Sequence, residues 1–336
     1  MDSRFVEIQR RDTEDGEFFQ IKDPAVVKLP DGTYVLYCTL DASYMKPGLV
    51  GRFTAAAPEG PWQEEAPAEL SGVSGPEVCA PAVVMEEKDG KPLFKMYIQT
   101  SCFHEDGVIA VATSTDGIHF TAEKTVMTKD DVRGSVSLYD VAVSDITHGG
   151  KPAECMVFSA YREIGCGDVY ISMRDKGAAA WEQPVLALRQ EDVPFHNKPG
   201  SENFEWGLEG AKVVQLADDA YLMAGVCFLD GETSARGTRQ RVFFAAASSP
   251  LGPFVPMNTP IDPTPYKEGT GENGHPDIID LGDKLGILYQ ERAGEGRDKP
   301  WHLRYARADK AALLKEVRAR LAPPVRGKTS KPGFGI

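Results

Sequence analysis

A strand-turn-strand unit recurs five times along the 336 residues, about every fifty to sixty positions, the spacing at which propeller blades follow one another. Its instances run from Pro24 to Tyr37, Pro81 to Tyr97, Asp140 to Phe158, Gly210 to Met223 and Pro276 to Tyr289. Each opens on a short apolar strand, reverses at a polar turn and returns through a strand carrying Tyr, Phe or Met. The unit endings also match: Thr54 to Trp62, Thr113 to Phe120, Ala245 to Phe254 and, more weakly, Ser172 to Trp181. In these, small residues are followed by a Gly-containing turn and an aromatic ring that packs back. Units this short cannot bury an apolar face alone, so they must pack on one another. The chain is therefore read as all-β, a five-bladed β-propeller forming one domain over residues 1–336. The expected blades are 17–75, 76–130, 131–200, 201–262 and 263–310.

Helical periodicity is confined to Ala308 to Leu321, where Pro323 and Pro324 stop it, so one short C-terminal helix is expected. With its tail it occupies 308–336. The charged stretch Arg326 to Lys331 reads as a flexible end. A net charge of -13 argues against nucleic acid or an anionic membrane as partner, because both would be repelled on average. The charged start, Met1 to Arg11, carries no secretory signal, which gives a cytoplasmic expectation, with a secreted mature form left open. Six scattered cysteines, Cys38, Cys79, Cys102, Cys155, Cys166 and Cys227, lack metal-ligand spacing and read as reduced core thiols.

In a radial repeat the first strand of each unit lines a central channel, so residues at the strand starts are the ones that meet. Those starts read Asp23-Pro24, Cys79-Ala80-Pro81, Asp140-Val141, Glu209-Gly210 and His275-Pro276. An acid placed just before an apolar strand is desolvated, which is unfavourable unless chemistry requires it there. Three of the five starts carry one.

On these residues, and on the Gly-Pro-aromatic endings, the chain resembles glycoside hydrolase family 43 and its five-bladed relatives over Phe18 to Ala308. The resemblance implies a glycosidase in which Asp23 is the general base. Glu209 is then the general acid, and Asp140 orients Glu209 and raises its pKa. It implies inverting cleavage of arabinofuranosyl or xylosyl bonds in an oligosaccharide or glycoside, without an organic cofactor. It places His275 at the axis, where relatives hold a calcium or other ion; a hydrogen-bonded histidine supporting the pocket floor is the competing reading. Arg304, in Trp301-His-Leu-Arg304, falls where relatives present an arginine to substrate hydroxyls, with Arg292 as the rival position and a solvent-facing strand arginine as the alternative. Trp206 is a stacking face for a sugar ring or a core residue. The sequence departs from the family at Cys79, where an aromatic is common, and at Asp140-Val141 in place of Asp-Pro.

Two other functions stay in view. One keeps the fold but changes the reaction to retention, transfer or phosphorolysis, the last needing cations such as Arg304, Arg292 or Lys212 beside the acid. The other is a propeller that only binds a glycan or protein. The loops Glu191 to Asn203 and Gly231 to Arg239 are expected to shape the pocket rim. Oligomeric state is not legible in the sequence.

Overall fold

A computed structural model describes residues 3–9, 21–40, 49–73, 79–100, 105–163, 165–197, 207–230, 238–257, 271–292 and 300–322. Almost all of them are in strands or tight turns. In chain order the strands are β1 (Ser3–Phe5), β2 (Ile8–Gln9), β3 (Ile21–Lys28), β4 (Tyr34–Leu40), β5 (Leu49–Ala55), β6 (Trp62–Glu64) and β7 (Ala68–Ser71). They continue as β8 (Cys79–Lys88), β9 (Lys91–Gln99), β10 (Ile109–Ser114), β11 (His119–Met127), β12 (Ser137–His148), β13 (Lys151–Glu163), β14 (Cys166–Asp175) and β15 (Val185–Leu188). The last are β16 (Glu209–Ala217), β17 (Ala220–Asp230), β18 (Thr238–Ala247), β19 (Val255–Pro256), β20 (Glu272–Asp280), β21 (Lys284–Arg292) and β22 (His302–Asp309), followed by helix α1 (Lys310–Leu321).

The repeats form antiparallel sheets in sequence order. β12-β13-β14-β15 and β16-β17-β18-β19 are separate four-stranded sheets. The first two repeats are joined, because β7 pairs antiparallel with β5 and parallel with β11. The sheet β20-β21-β22 takes its outer strand from the other end of the chain: Ser3, Arg4 and Phe5 of β1 pair with Ala306, Tyr305 and Arg304 of β22. The sequence reading, which gave the last unit only residues 263–310, lacks this strand because three polar-flanked residues carry no strand period.

Each first strand of a repeat packs against the next, β3 on β8, β8 on β12, β12 on β16 and β16 on β20, and β20 returns to β3. Between neighbouring sheets lies an apolar layer. Val35, Tyr37, Phe94 and Met96 fill the first, Tyr97, Val143, Met156 and Phe158 the second, and Val157, Ile171, Val213 and Met223 the third. Val242, Ile287 and Tyr289 fill the fourth, and Leu36, Phe53, Leu288 and Leu303 close the circuit. The aromatics expected at the unit endings are inside these layers, with Trp62, Phe120 and Phe254 buried. Partly buried Trp181 lies under the Arg174 guanidinium at 4.2 Å. Helix α1 starts two residues later than the sequence period allows, because the Asp309 side chain accepts the Ala312 N–H at 2.8 Å and caps it. Its Val317 packs with Leu222 and Ala246. No helix among the described residues is long and apolar enough to cross a membrane. Cys38, Cys155, Cys166 and Cys227 are buried and unbridged, while Cys102 lies outside the described residues.

Candidate active site

The same backbone irregularity recurs at the start of all five inner strands. The ladder skips two residues after Lys22, Cys79, Tyr139, Glu209 and Gly274. The first residue skipped in each case has positive φ: Asp23 (53°), Ala80 (49°), Asp140 (50°), Gly210 (53°) and His275 (43°). Such bulges bend the strand and re-aim a side chain, and a non-glycine residue in this region is strained by about 1–3 kcal/mol. Three of the five second positions are Pro24, Pro81 and Pro276, which suit a slot whose N–H has left the ladder. The strain is compensated by side chains of the preceding sheet. The Asp23 N–H donates to Gln290 Oε1 (2.8 Å), the Ala80 N–H to Thr39 Oγ1 (2.9 Å), and the Asp140 N–H to Gln99 Oε1.

This register corrects one point of the sequence reading. Glu209 is not the counterpart of Asp23 and Asp140; Gly210 is. Four non-glycine residues adopt this φ at the equivalent positions, so what favours glycine here is the close approach of His275, whose Nδ1 would lie 2.9 Å from a Cβ. Glu209, one residue earlier, reaches the same centre from the neighbouring position.

Four expected residues converge. His275 Nδ1 lies 3.1 Å from Asp23 Oδ1 and 3.8 Å from Asp140 Oδ2, and its Nε2 lies 3.7 Å from Glu209 Oε2. The acids retain only 9 % (Asp23), 6 % (Asp140) and 6 % (Glu209) of their exposure. Asp140 Oδ2 also accepts the Gly210 N–H at 3.1 Å. Burial, reinforced by Glu209 and Asp23, pushes the Asp140 carboxyl up to about 7 against the opposing pull of His275. Burial works against charge on His275, but Asp23, Asp140 and Glu209 together outweigh it and lift the imidazole to about 10. At neutral pH the ring is an imidazolium set among carboxylates.

Candidate ligand atoms of Asp140, Glu209 and His275 lie within 4.8 Å of one another, which raises the expected axial ion. Calcium takes about six to eight oxygen ligands. The carboxylates of Asp140 and Glu209 would supply oxygens to such an ion, whereas His275 offers only nitrogen and would contribute least to holding it.

The first strands of the repeats line a narrow cavity of about 50 Å³ whose walls include Asp23, Asp140 and His275. Along these walls Lys212, three residues after Glu209, pairs with Asp277, two residues after His275. Asp277 Oδ2 also accepts the Val26 N–H at 2.7 Å, three residues after Asp23. The cation considered for phosphate binding is thus neutralised within the cavity. The two arginines are also engaged. Arg292 binds Glu272 through Nε (2.8 Å) and Nη2 (2.7 Å) and stacks on Trp301. Arg304, which a strand pattern would leave facing solvent, is buried, 3.4 Å from Glu291 and over the Phe5 ring. Arg292 and Arg304 are thus each held by an acid of the last sheet, Glu272 and Glu291. Trp206 lies outside the described residues, as do parts of the two rim loops.

A residue the sequence reading passed over also bears on the site. Tyr139, adjacent to Asp140, is buried, stacks on Tyr161 (centroids 3.9 Å apart) and donates its hydroxyl to Leu208 O at 2.9 Å. The signal in the sequence was the pair Gly167 and Gly207, which leave room for this packing.

Neither protein-family models nor curated proteins return a match for the chain. Solved structures do. An endo-arabinase from Bacteroides thetaiotaomicron VPI-5482 aligns with TM-score 0.62 at 17% identity, covering 86% of this chain and 94% of that one. A thermostable family-43 glycoside hydrolase aligns at 0.62 and 20%, covering 88% and 91%. A GH62 hydrolase in complex with xylotriose aligns at 0.60 and 16%, covering 90% and 97%. At these identities the likeness speaks for architecture: the chain has the fold of these hydrolases.

Proposed function

We propose that the protein is a glycoside hydrolase with a five-bladed β-propeller architecture. In this reading β3, β8, β12, β16 and β20 are the innermost strands of the blades. The observation that carries the function is the convergence of three buried carboxylates, from three different repeats, on one imidazolium. A protein that merely binds a neutral glycan has no need to hold acids where burial penalises them.

In the proposed reaction Glu209 protonates the leaving glycosidic oxygen while Asp23 removes a proton from the attacking water. Asp140 acts through the Gly210 N–H to hold the backbone beside Glu209. Asp23 and Glu209 face opposite nitrogens of the His275 ring, which supports the wider carboxyl separation of about 6.5–9.5 Å that admits a water, and hence inversion. His275, lifted to about 10 by these acids, offsets their mutual repulsion. The solved structures of similar fold include an endo-arabinase, and one was determined with xylotriose, which supports arabinofuranosyl or xylosyl bonds as the target class.

A panel of aryl pentosides and hexosides, with the product anomer followed by NMR, tests substrate and stereochemistry together. Glu209→Gln and Asp23→Asn should each remove turnover while leaving the fold intact. Full activity in both variants would overturn the assignment, and no turnover by the wild type across the panel would favour a binding module.

A further inference from the structure

We infer that Tyr139 is a positioning residue for the general acid, an inference that rests on the glycosidase reading. The stretch carrying Glu209 is gripped on both sides by two consecutive residues of β12. On one side the Tyr139 hydroxyl donates to the carbonyl of Leu208 at 2.9 Å. On the other the Asp140 carboxylate accepts the N–H of Gly210 at 3.1 Å. Glu209 lies between the two anchored residues, and Leu208 is fixed a second time by its own N–H, which donates to Gly167 O at 3.0 Å.

The surroundings leave the phenol little freedom. Its ring is stacked on Tyr161 at an interplanar angle of 15°. A Cβ on Gly167 would lie 2.0 Å from the Tyr139 oxygen, and one on Gly207 would lie 2.1 Å from the Gly167 nitrogen. Two glycines, one in β14 and one just before β16, are thus needed for the hydroxyl to reach Leu208. Burial keeps the phenol protonated, so it serves as a donor throughout the working range. Tyr139 touches neither substrate nor reacting atoms; it sets where the Glu209 carboxyl points, and small errors in such placement are felt strongly in rate.

The test separates positioning of the acid from general damage. A leaving group that departs as a stable anion does not need protonation, whereas a poor one does. Wild type and Tyr139→Phe are compared on two glycosides of the same sugar, one with 2,4-dinitrophenol and one with an alkyl alcohol as leaving group. Glu209→Gln serves as the reference for absence of the acid, with a large loss on the alkyl glycoside and a small one on the dinitrophenyl glycoside. The variant is expected to lose about tenfold in kcat/KM on the alkyl glycoside, a part of the 10²–10⁴ that general acid catalysis supplies, and less than about twofold on the dinitrophenyl glycoside. An equal loss on both substrates, or no loss on either, overturns the inference. If the wild type hydrolyses neither glycoside for any sugar in the panel, the glycosidase reading falls and takes the inference with it. If it hydrolyses both and the variant's ratio is unchanged, only the role of Tyr139 is lost.

Discussion

Replacing Asp140 by Asn should make the protein more stable above neutral pH while removing its activity. The asparagine keeps an oxygen for the Gly210 N–H and changes little but charge. The Asp140 carboxyl sits at about 7 in the folded protein against 3.8 for the free side chain, so between those values the folded state holds a proton that the unfolded state has released. Stability must then fall as pH rises through this window. Three units correspond to about 4 kcal/mol at most, since each unit is worth about 1.4 kcal/mol and relaxation around the ionised carboxylate reduces the sum. At pH 5 the unfolded wild type has already released this proton while the folded protein holds it, so the variant should be ahead by only about 1–2 kcal/mol, and the gap should widen with pH. At pH 8 the variant should be ahead by about 2–4 kcal/mol. His275, lifted to about 10, is protonated in the folded wild type at both pH values, and its remaining partners should keep it so in the variant. Urea unfolding of both proteins at pH 5, 6, 7 and 8 measures the difference. A gap that does not change with pH, or a variant less stable at pH 8, would refute the reasoning.

Lys212→Met should destabilise the fold by about 3–5 kcal/mol, since it leaves Asp277 charged and buried, and Lys212→Met with Asp277→Asn should recover most of that; denaturant midpoints of the single and double variants decide, and a single-variant loss below 1 kcal/mol would show that the pair is solvated. Gly210→Ala should lower kcat at least tenfold, because its methyl would displace the His275 ring, and steady-state kinetics on an aryl glycoside read this directly.

The five inner strands were legible because their apolar runs and flanking prolines repeat in phase, and that alone located Asp23, Asp140, Glu209 and His275. The bulge that aims them was not. Aspartate, alanine and histidine carry no mark of positive φ, and the one position that does, Gly210, displaced Glu209 by a residue from its supposed equivalents. Arg304 shows a second limit. A period of two assigns a strand residue to one of two faces, but the partners that bury this guanidinium, Glu291 and Phe5, come from other strands and from opposite ends of the chain. Strands β1, β2 and β7 are too short to show any period, and their assignment depends wholly on the edges they cover.

The pairing of β1 with β22 also bears on how the molecule is made. During synthesis β1 stays unzipped until β22 has emerged. Asp23 waits as well, since Gln290, which holds its amide, and His275, which meets its carboxylate, both belong to the final sheet. A nascent or prematurely terminated chain therefore carries its acids without their geometry, and competence arrives in the same step that completes the circle.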